Sequence, residues 1–478
     1  MMKQDESLMT SRRFVPMFFT QFFGALNDNV YKQALLLVIT YGWIQQQSAP
    51  VSTLNNLAAL LFILPYFFFS ATAGQIADKY ERSQLVRGIK ILEIIIMLIG
   101  SAGFLLGHLW LLLLALFLMG THSTFFGPIK YAILPEILKP HELMSGNALF
   151  QSGTSMAILF GMILGGAVIA SSDGNLLWIS ITVVAIACIG YLFSRFILPQ
   201  KVAAPDLDID WNFIRTSFQT IKYAKSLPLV FTILLGNSWY WFYGATYLTQ
   251  IPQLTQQNLH ASENVVSLLL TFFSVGIGVG SLLCRKIGGS EINIKMVPIG
   301  AVGLTVFALY LAASLAFVPE RTGALLTLKD VFTQGWVYYH VMIAVTLLGI
   351  SGGFYIVPLY AMMQAYSPRS HRARVVAANN ILNAVFMVSS AIFSILILSV
   401  LKIDIKILFI ITAVLSAIFS IWLLARLKPM LATAHLSLET NLCATILELI
   451  NLLTLLIKHY VVLFRVQQQR SAKIQLKQ

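Results

Sequence analysis

The chain has 478 residues, 58% of them hydrophobic, against 32 basic and 19 acidic side chains, so apolar residues outnumber charges by more than five to one. That balance excludes a soluble multidomain enzyme and a disordered chain, and three scattered cysteines (Cys188, Cys284, Cys443) offer no pairing for a disulfide scaffold. A membrane span takes roughly 20 apolar residues, so the composition suits about 12 spans joined by short loops.

In chain order, apolar runs fall at roughly 14–43, 53–77, 85–107, 109–134, 143–171 and 176–198, then at 228–251, 264–286, 295–318, 337–363, 375–400 and 406–427. The first contains Q-F-F-G-A-L-N-D-N-V-Y-K, from Gln21 to Lys32. Its polar centre and the lack of a small-residue cleavage site argue against a removed signal. A carboxylate and an ammonium inside a span are costly unless they face protein or a wet cavity, so Asp28 and Lys32 are expected to point inward. Their i,i+4 spacing puts them on one helix face. Such a face offers an acid to an ammonium and a base to a phosphate, or else forms a self-satisfied ion pair. Asn27 and Asn29 add polar groups that a purely structural pair does not need.

The second run ends in G-Q-I-A-D-K-Y-E-R-S, Gly74 to Ser83. Gly74 permits close helix approach, and Asp78 sits where helix dipoles and basic partners can hold it. Lys90 and Glu93 in the third run have the spacing of a local ion pair. In the fourth, His122 has no second ligand at metal spacing. Lys130, late in that run, either meets a headgroup or snorkels to ordinary lipid phosphates. The interruption from Pro199 to Ser226 carries Asp206, Asp208 and Asp210. Trp211, Phe213, Ile214, Phe218 and Ile221 then recur near helical spacing, as in a helix lying on the membrane surface. Trp239 to Tyr243 open the seventh run with an aromatic cluster suited to packing or to an acyl chain. Beyond the twelfth, Asn441 to Phe464 carries a polar line at Asn441, Thr445, Glu448, Asn451, Thr454 and Lys458, which predicts an amphipathic helix.

With the amino terminus taken as cytoplasmic, 27 of the 32 lysines and arginines fall on one side, which predicts both termini inside. The net charge of +13 therefore belongs to loops along a membrane and does not point to nucleic acid. Six runs precede the interruption and six follow it. Phe22-Phe23-Gly24-Ala25 resembles Phe242-Tyr243-Gly244-Ala245, Phe125-Phe126 resembles Phe354-Tyr355, and Gly146-Asn147 matches Ala378-Asn379, while Gly74 and Gly280 fit less well. Matches in order predict a parallel two-fold repeat with a site between halves.

The Gly74, Asp78, Lys79 and Arg82 pattern resembles the G-x-x-x-D-[RK]-x-G-[RK] loop of the major facilitator superfamily, with Glu81 in place of the second glycine and the tight turn thereby in question. Within that superfamily the chain is similar to bacterial lysophospholipid transporters, some fused to acyltransferase and acyl-carrier-protein ligase domains. F-F-G-A-L-N-D-N, G-Q-I-A-D, F-G-P-I-K-Y-A-I-L-P-E and H-E-L-M-S-G-N-A carry this likeness, chiefly over the first 165 residues. The resemblance implies an all-α membrane protein of twelve transmembrane helices in two halves, 1–198 and 228–427. A connection, 199–227, and a cytoplasmic tail, 428–478, complete it. It further implies a gating role for the loop residues, headgroup contact by Asp28 and Lys130, and lysophospholipid moved across the cytoplasmic (inner) membrane for reacylation by a separate acyltransferase. No H-x-x-x-x-D acyltransferase pair follows His459, so the expectation is a stand-alone transporter that is no enzyme and needs no cofactor. The competing expectation is a proton-coupled transporter of a small solute or drug on the same fold. A lipid-modifying membrane enzyme is disfavoured by the lack of nucleophile and metal signatures.

Overall fold

The computed structural model describes residues 8–40, 51–171, 175–289, 292–319, 323–333 and 335–433. Asn441 to Phe464 lie outside the described residues. Within them the chain is all-α apart from one isolated bridge, Ala261 to Leu326. The helices are α1 (Val15–Thr40), α2 (Val51–Lys79), α3 (Arg82–Leu106), α4 (Leu109–Ile137), α5 (Leu143–Ser171), α6 (Leu177–Ser194) and α7 (Phe213–Lys225). They continue as α8 (Pro228–Gln253), α9 (Glu263–Gly288), α10 (Met296–Leu315), α11 (Leu328–Thr333), α12 (Trp336–Tyr366), α13 (Arg372–Ile395) and α14 (Ile405–Thr433). Ten of these are long and apolar enough to cross a membrane; α1 and α8, each 26 residues, match them in length but not in apolarity. Both carry polar side chains at mid-length, which α1 turns toward the protein.

Helix ends follow local chemistry. Gly107 closes α3 in the left-handed region (φ 63°), where only glycine sits without strain, and Pro228 opens α8 at a position needing no amide donor. Glu81, in place of the second loop glycine, takes an extended conformation (φ −65°, ψ 123°) and caps α3, accepting hydrogen bonds from the Ser83 and Gln84 amides. The turn therefore forms without glycine.

One core, around Leu26, Tyr31, Phe104 and Leu112, joins the early helices; another, around Tyr243, Phe273, Leu348 and Tyr355, joins the late ones. The packing pairs recur: α1 with α5, α2 with α4 and α3 with α6, then α8 with α13, α9 with α12 and α10 with α14. Across the two sets, α2 packs on α13 and α5 on α9. Glycines allow the closest crossings. A Cβ at Gly161 would stand 2.7 Å from the Leu26 carbonyl of α1, and one at Gly165 2.7 Å from that of Val30.

The segment before α7 is stitched to the α2–α3 turn. Gln200 N donates to Glu81 Oε1 (2.8 Å), Ala204 N to the Asp78 carbonyl (2.8 Å) and Asp210 N to Gln75 Oε1 (3.0 Å). Helix α7 buries Thr216, Thr220 and Ala224 against the protein, while Ile214 and Phe218 stay 57% and 74% exposed. The protein-facing side is thus the small, polar one, and the apolar side faces outward. Two basic residues on the side rich in lysine and arginine are not loop charges: Lys90 is fully buried eight residues into α3, and Lys130 lies within α4.

Candidate functional site

Helix α1 distributes its polar run among three neighbours. Asn27 is fully buried and its Nδ2 donates to Glu93 Oε1 of α3 at 3.0 Å. Asn29 donates to the Ala25 carbonyl of its own helix at 2.7 Å, beside Gly161 of α5. Asp28, between them, meets α4: its Oδ2 accepts from Ser123 Oγ at 2.9 Å, while Oδ1 is buried without a hydrogen-bond partner among the described residues. Lys32 shares the Asp28 face, yet no ion pair within 4.0 Å joins the two among the described residues. Its Nζ instead lies 4.4 Å from the centroid of the Phe62 ring of α2. The self-satisfied pair is therefore not what forms.

The pair that does form is Lys90 with Glu93, at 2.6 Å and fully buried. Asn27 Nδ2 and His122 Nε2, the latter 3.3 Å from Glu93 Oε2, complete the surroundings of that carboxylate. Gly24 makes room for it, because a Cβ there would stand 2.6 Å from Lys90 Nζ. This cluster lies inside the early helices. Asp28, Lys32 and Lys130 stay outside it.

Ser123, Gly127, Lys130 and Tyr131 lie on one face of α4 by helical spacing. That face meets the late helices. A Cβ at Gly127 would stand 2.9 Å from Asn380 Nδ2 of α13, and Tyr131 stacks on Tyr360 of α12 with ring centroids 4.5 Å apart and planes 4° from parallel. Tyr131 and Tyr360 are separated by the same 229 residues as Phe125 and Phe354, so equivalent positions of the two repeats touch. Lys130 Nζ lies 4.9 Å from the Tyr131 ring centroid and has no carboxylate within 4.0 Å among the described residues. Asp28, through Ser123, and Lys130 thus adjoin the α4 face that meets the late helices, while Lys32, one turn along α1 from Asp28, lies against α2.

Toward the end that carries the basic loops, the two sets interlock. Asp78 is fully buried and caps the first turn of α13: Oδ1 accepts from Ala373 N at 3.1 Å and Oδ2 from Arg374 N at 3.2 Å. Arg82 and the Arg374 side chain hold the same carboxylate, each at 3.2 Å. Gly74 lets α2 reach α13, since a Cβ there would come within 2.7 Å of that of Ala377. Lys79 has no ion pair within 4.0 Å among the described residues. A second interlock escaped the sequence reading: Glu136 of α4 binds Arg369 at 2.8 Å and Arg372 at 2.9 Å. A third is a reciprocal amide pair, Asn147 Nδ2 to Gln364 Oε1 at 2.7 Å and Gln364 Nε2 to Asn147 Oδ1 at 3.0 Å. The available signal was an acid and an amide at matching ends of apolar runs opposite R-S-H-R-A-R.

The sequence profile of the Major Facilitator Superfamily matches residues 17–315 and again 240–435, most of the chain. The chain belongs to the major facilitator superfamily. It is therefore a multi-pass membrane protein of a transporter family, and the second, overlapping match fits the repeated packing. Among curated members it is similar to a "Lysophospholipid transporter LplT" of Cronobacter sakazakii, 25% identical over 370 residues that cover 75% of this chain and 82% of that one. The protein of the same description from Escherichia coli O157:H7 is 25% identical over 73% of this chain and 79% of its own. Solved transporter structures share the fold. The human organic anion transporter MFSD10 superposes with a TM-score of 0.66 at 13% identity, covering 86% of this chain and 99% of that one. The E. coli fucose:proton symporter FucP gives 0.62 at 13%, covering 86% and 98%.

Proposed function

We propose that this protein moves lysophospholipid across the cytoplasmic membrane by alternating access, with halves 1–198 and 228–427 rocking about a site between them. The observation that carries the reading is the set Asp28, Lys32 and Lys130, ionisable groups within helices α1 and α4 that form no ion pair with one another within 4.0 Å among the described residues. Two ammonium groups suit a phosphate, and a carboxylate suits an ammonium or hydroxyl donor. Asn27 and Asn29 support this set by fixing α1 against α3 and its own backbone. The LplT relatives, similar over about three quarters of the chain, support the same substrate class. The excess of basic residues on one side supports reading both termini and the 199–227 connection as cytoplasmic and the interlocked end as the cytoplasmic gate. Gly74, Asp78 and Arg82 hold it closed, and Lys79 contributes to the positive-inside signal. Delivered lipid is then available to a separate cytoplasmic acyltransferase.

A second reading, proton-coupled transport of a small solute, draws on the buried Lys90–Glu93–His122 cluster beside the site. One experiment separates the two. Spheroplasts of a host lacking lysophospholipid uptake, expressing this protein, are given labelled lysophosphatidylethanolamine with and without a protonophore. Uptake that persists with the protonophore supports the lipid reading. No lipid uptake, with protonophore-sensitive uptake of a sugar or drug, supports the other.

A further inference from the structure

The two faces of the proposed site differ in kind. The early helices present Asp28, Lys32 and Lys130, whereas α8 and α12 contain no Asp, Glu, Lys or Arg and α13 contains none after Arg374. The late face offers aromatic rings and amides. Three of those amides belong to α13, and two are already committed. Asn379, fully buried, accepts from Asn237 Nδ2 at 3.2 Å. Asn383, with its carboxamide oriented to satisfy both ends, donates to Ser238 Oγ at 3.0 Å and accepts from Trp241 Nε1 at 3.1 Å. Asn380 is the exception: its Nδ2 is buried without a hydrogen-bond partner among the described residues. It lies over Gly127, with the Asp28-bound Ser123 one turn of α4 to one side and Lys130 about one turn to the other. A buried amide donor left unpaired costs free energy, so such a group at a ligand face is best explained by a partner that the ligand brings.

On the lysophospholipid reading, we infer that Asn380 binds the free glycerol hydroxyl of the substrate. Once the headgroup charges are met by the early helices, the polar groups left on a monoacyl phospholipid are that hydroxyl and the ester carbonyl, both neutral. A carboxamide donates and accepts, and so does a hydroxyl, whereas an ester carbonyl only accepts. The hydroxyl is also the group that a diacyl phospholipid lacks. A contact to it favours monoacyl substrate, whose hydroxyl both accepts from the amide and donates, over the surrounding diacyl lipid, which offers there only an accepting ester and a second acyl chain. Asn380 is thus a specificity residue, and Gly127 provides the space in which its amide lies.

The test is initial flux in vesicles reconstituted with the full chain, comparing lysophosphatidylethanolamine with its analogue in which hydrogen replaces the glycerol hydroxyl. Wild type is expected to move the hydroxyl lipid about tenfold faster, the scale of one hydrogen bond at such a site. Asn380→Ala should bring the hydroxyl lipid down to the rate of the deoxy lipid while leaving the deoxy rate unchanged, which also reports a folded protein. Asn380→Leu, similar in volume and unable to hydrogen-bond, should behave alike. Equal wild-type rates for both lipids, or an Asn380 variant that slows both by the same factor, overturn the hydroxyl contact and leave lysophospholipid transport standing. A wild type that moves neither lipid overturns the transport reading and this contact with it.

Discussion

At the residue scale the sharpest question is what Asp28 and Lys32 do for each other. They share a helix face but not an ion pair, so each is available to a ligand. On the proposed function each meets an opposite charge of the bound headgroup, and leaving that headgroup charge buried without its partner typically costs about 3 to 5 kcal/mol. Asp28→Asn and Lys32→Gln should therefore each abolish lysophosphatidylethanolamine flux, with insertion preserved. The double variant should stay inactive, since the substrate then meets neither charge; recovery of flux in the double variant would make the pair a structural brace. Their position in a span, and their shared face, were legible in the sequence from spacing alone. That Asn27 serves Glu93 and Asn29 its own backbone was not, because spacing orients a side chain on its helix without naming the neighbour that it meets. Glu81 makes a second residue-scale case. Burial opposes its charge, but hydrogen bonds from the Ser83 hydroxyl and the Gln200, Ser83 and Gln84 amides outweigh it and hold its carboxyl below the usual glutamate range. A lowered folded value gives stability that is present at neutral pH and lost as pH falls through it. Glu81→Ala should lower the Tm by an amount corresponding to about 1 kcal/mol at neutral pH. That deficit should shrink in acid; a deficit independent of pH would mean that the charge plays no part in the cap.

At the element scale, α2, α4 and α5 meet α9, α12 and α13, and Asp78 and Glu136 are the carboxylates that bind across. Asp78 both caps α13 and binds Arg374, so Asp78→Asn keeps the shape but weakens the hold on the arginines. The expected result is a shift toward the state open at this end. In a cysteine-free background carrying Lys130→Cys, Asp78→Asn should raise labelling from the basic-loop side by an impermeant maleimide, and Glu136→Gln should do the same. Unchanged labelling in both would reduce these residues to topological signals. The Gly74 to Arg82 pattern announced one interlock because its residues are contiguous. The Glu136 and Asn147–Gln364 contacts join positions more than 200 apart in the chain, which no local pattern encodes. Helix limits were read closely, as with 143–171 for α5, because apolar runs in a membrane are bounded by charge or glycine.

For the whole molecule, the repeat was visible in F-F-G-A and its partner, but its physical meaning emerges only where equivalent tyrosines, Tyr131 and Tyr360, stack across the two sets. Orientation in the membrane is a separate matter that rests on charge. Tyr80, 48% exposed in the α2–α3 turn, and His108, exposed between α3 and α4, lie at opposite ends. As single cysteines in intact cells, His108→Cys should react with an impermeant maleimide and Tyr80→Cys should not; the reverse would invert the topology. The account as a whole stands on lipid movement. Its most direct measurement is the purified full chain in vesicles, with labelled lysophosphatidylethanolamine in one leaflet and its transfer followed by extraction with albumin. The prediction is transfer well above protein-free vesicles, lost in Asp28→Asn, whereas transfer no faster than in protein-free vesicles, from protein shown to be folded and inserted, would contradict it.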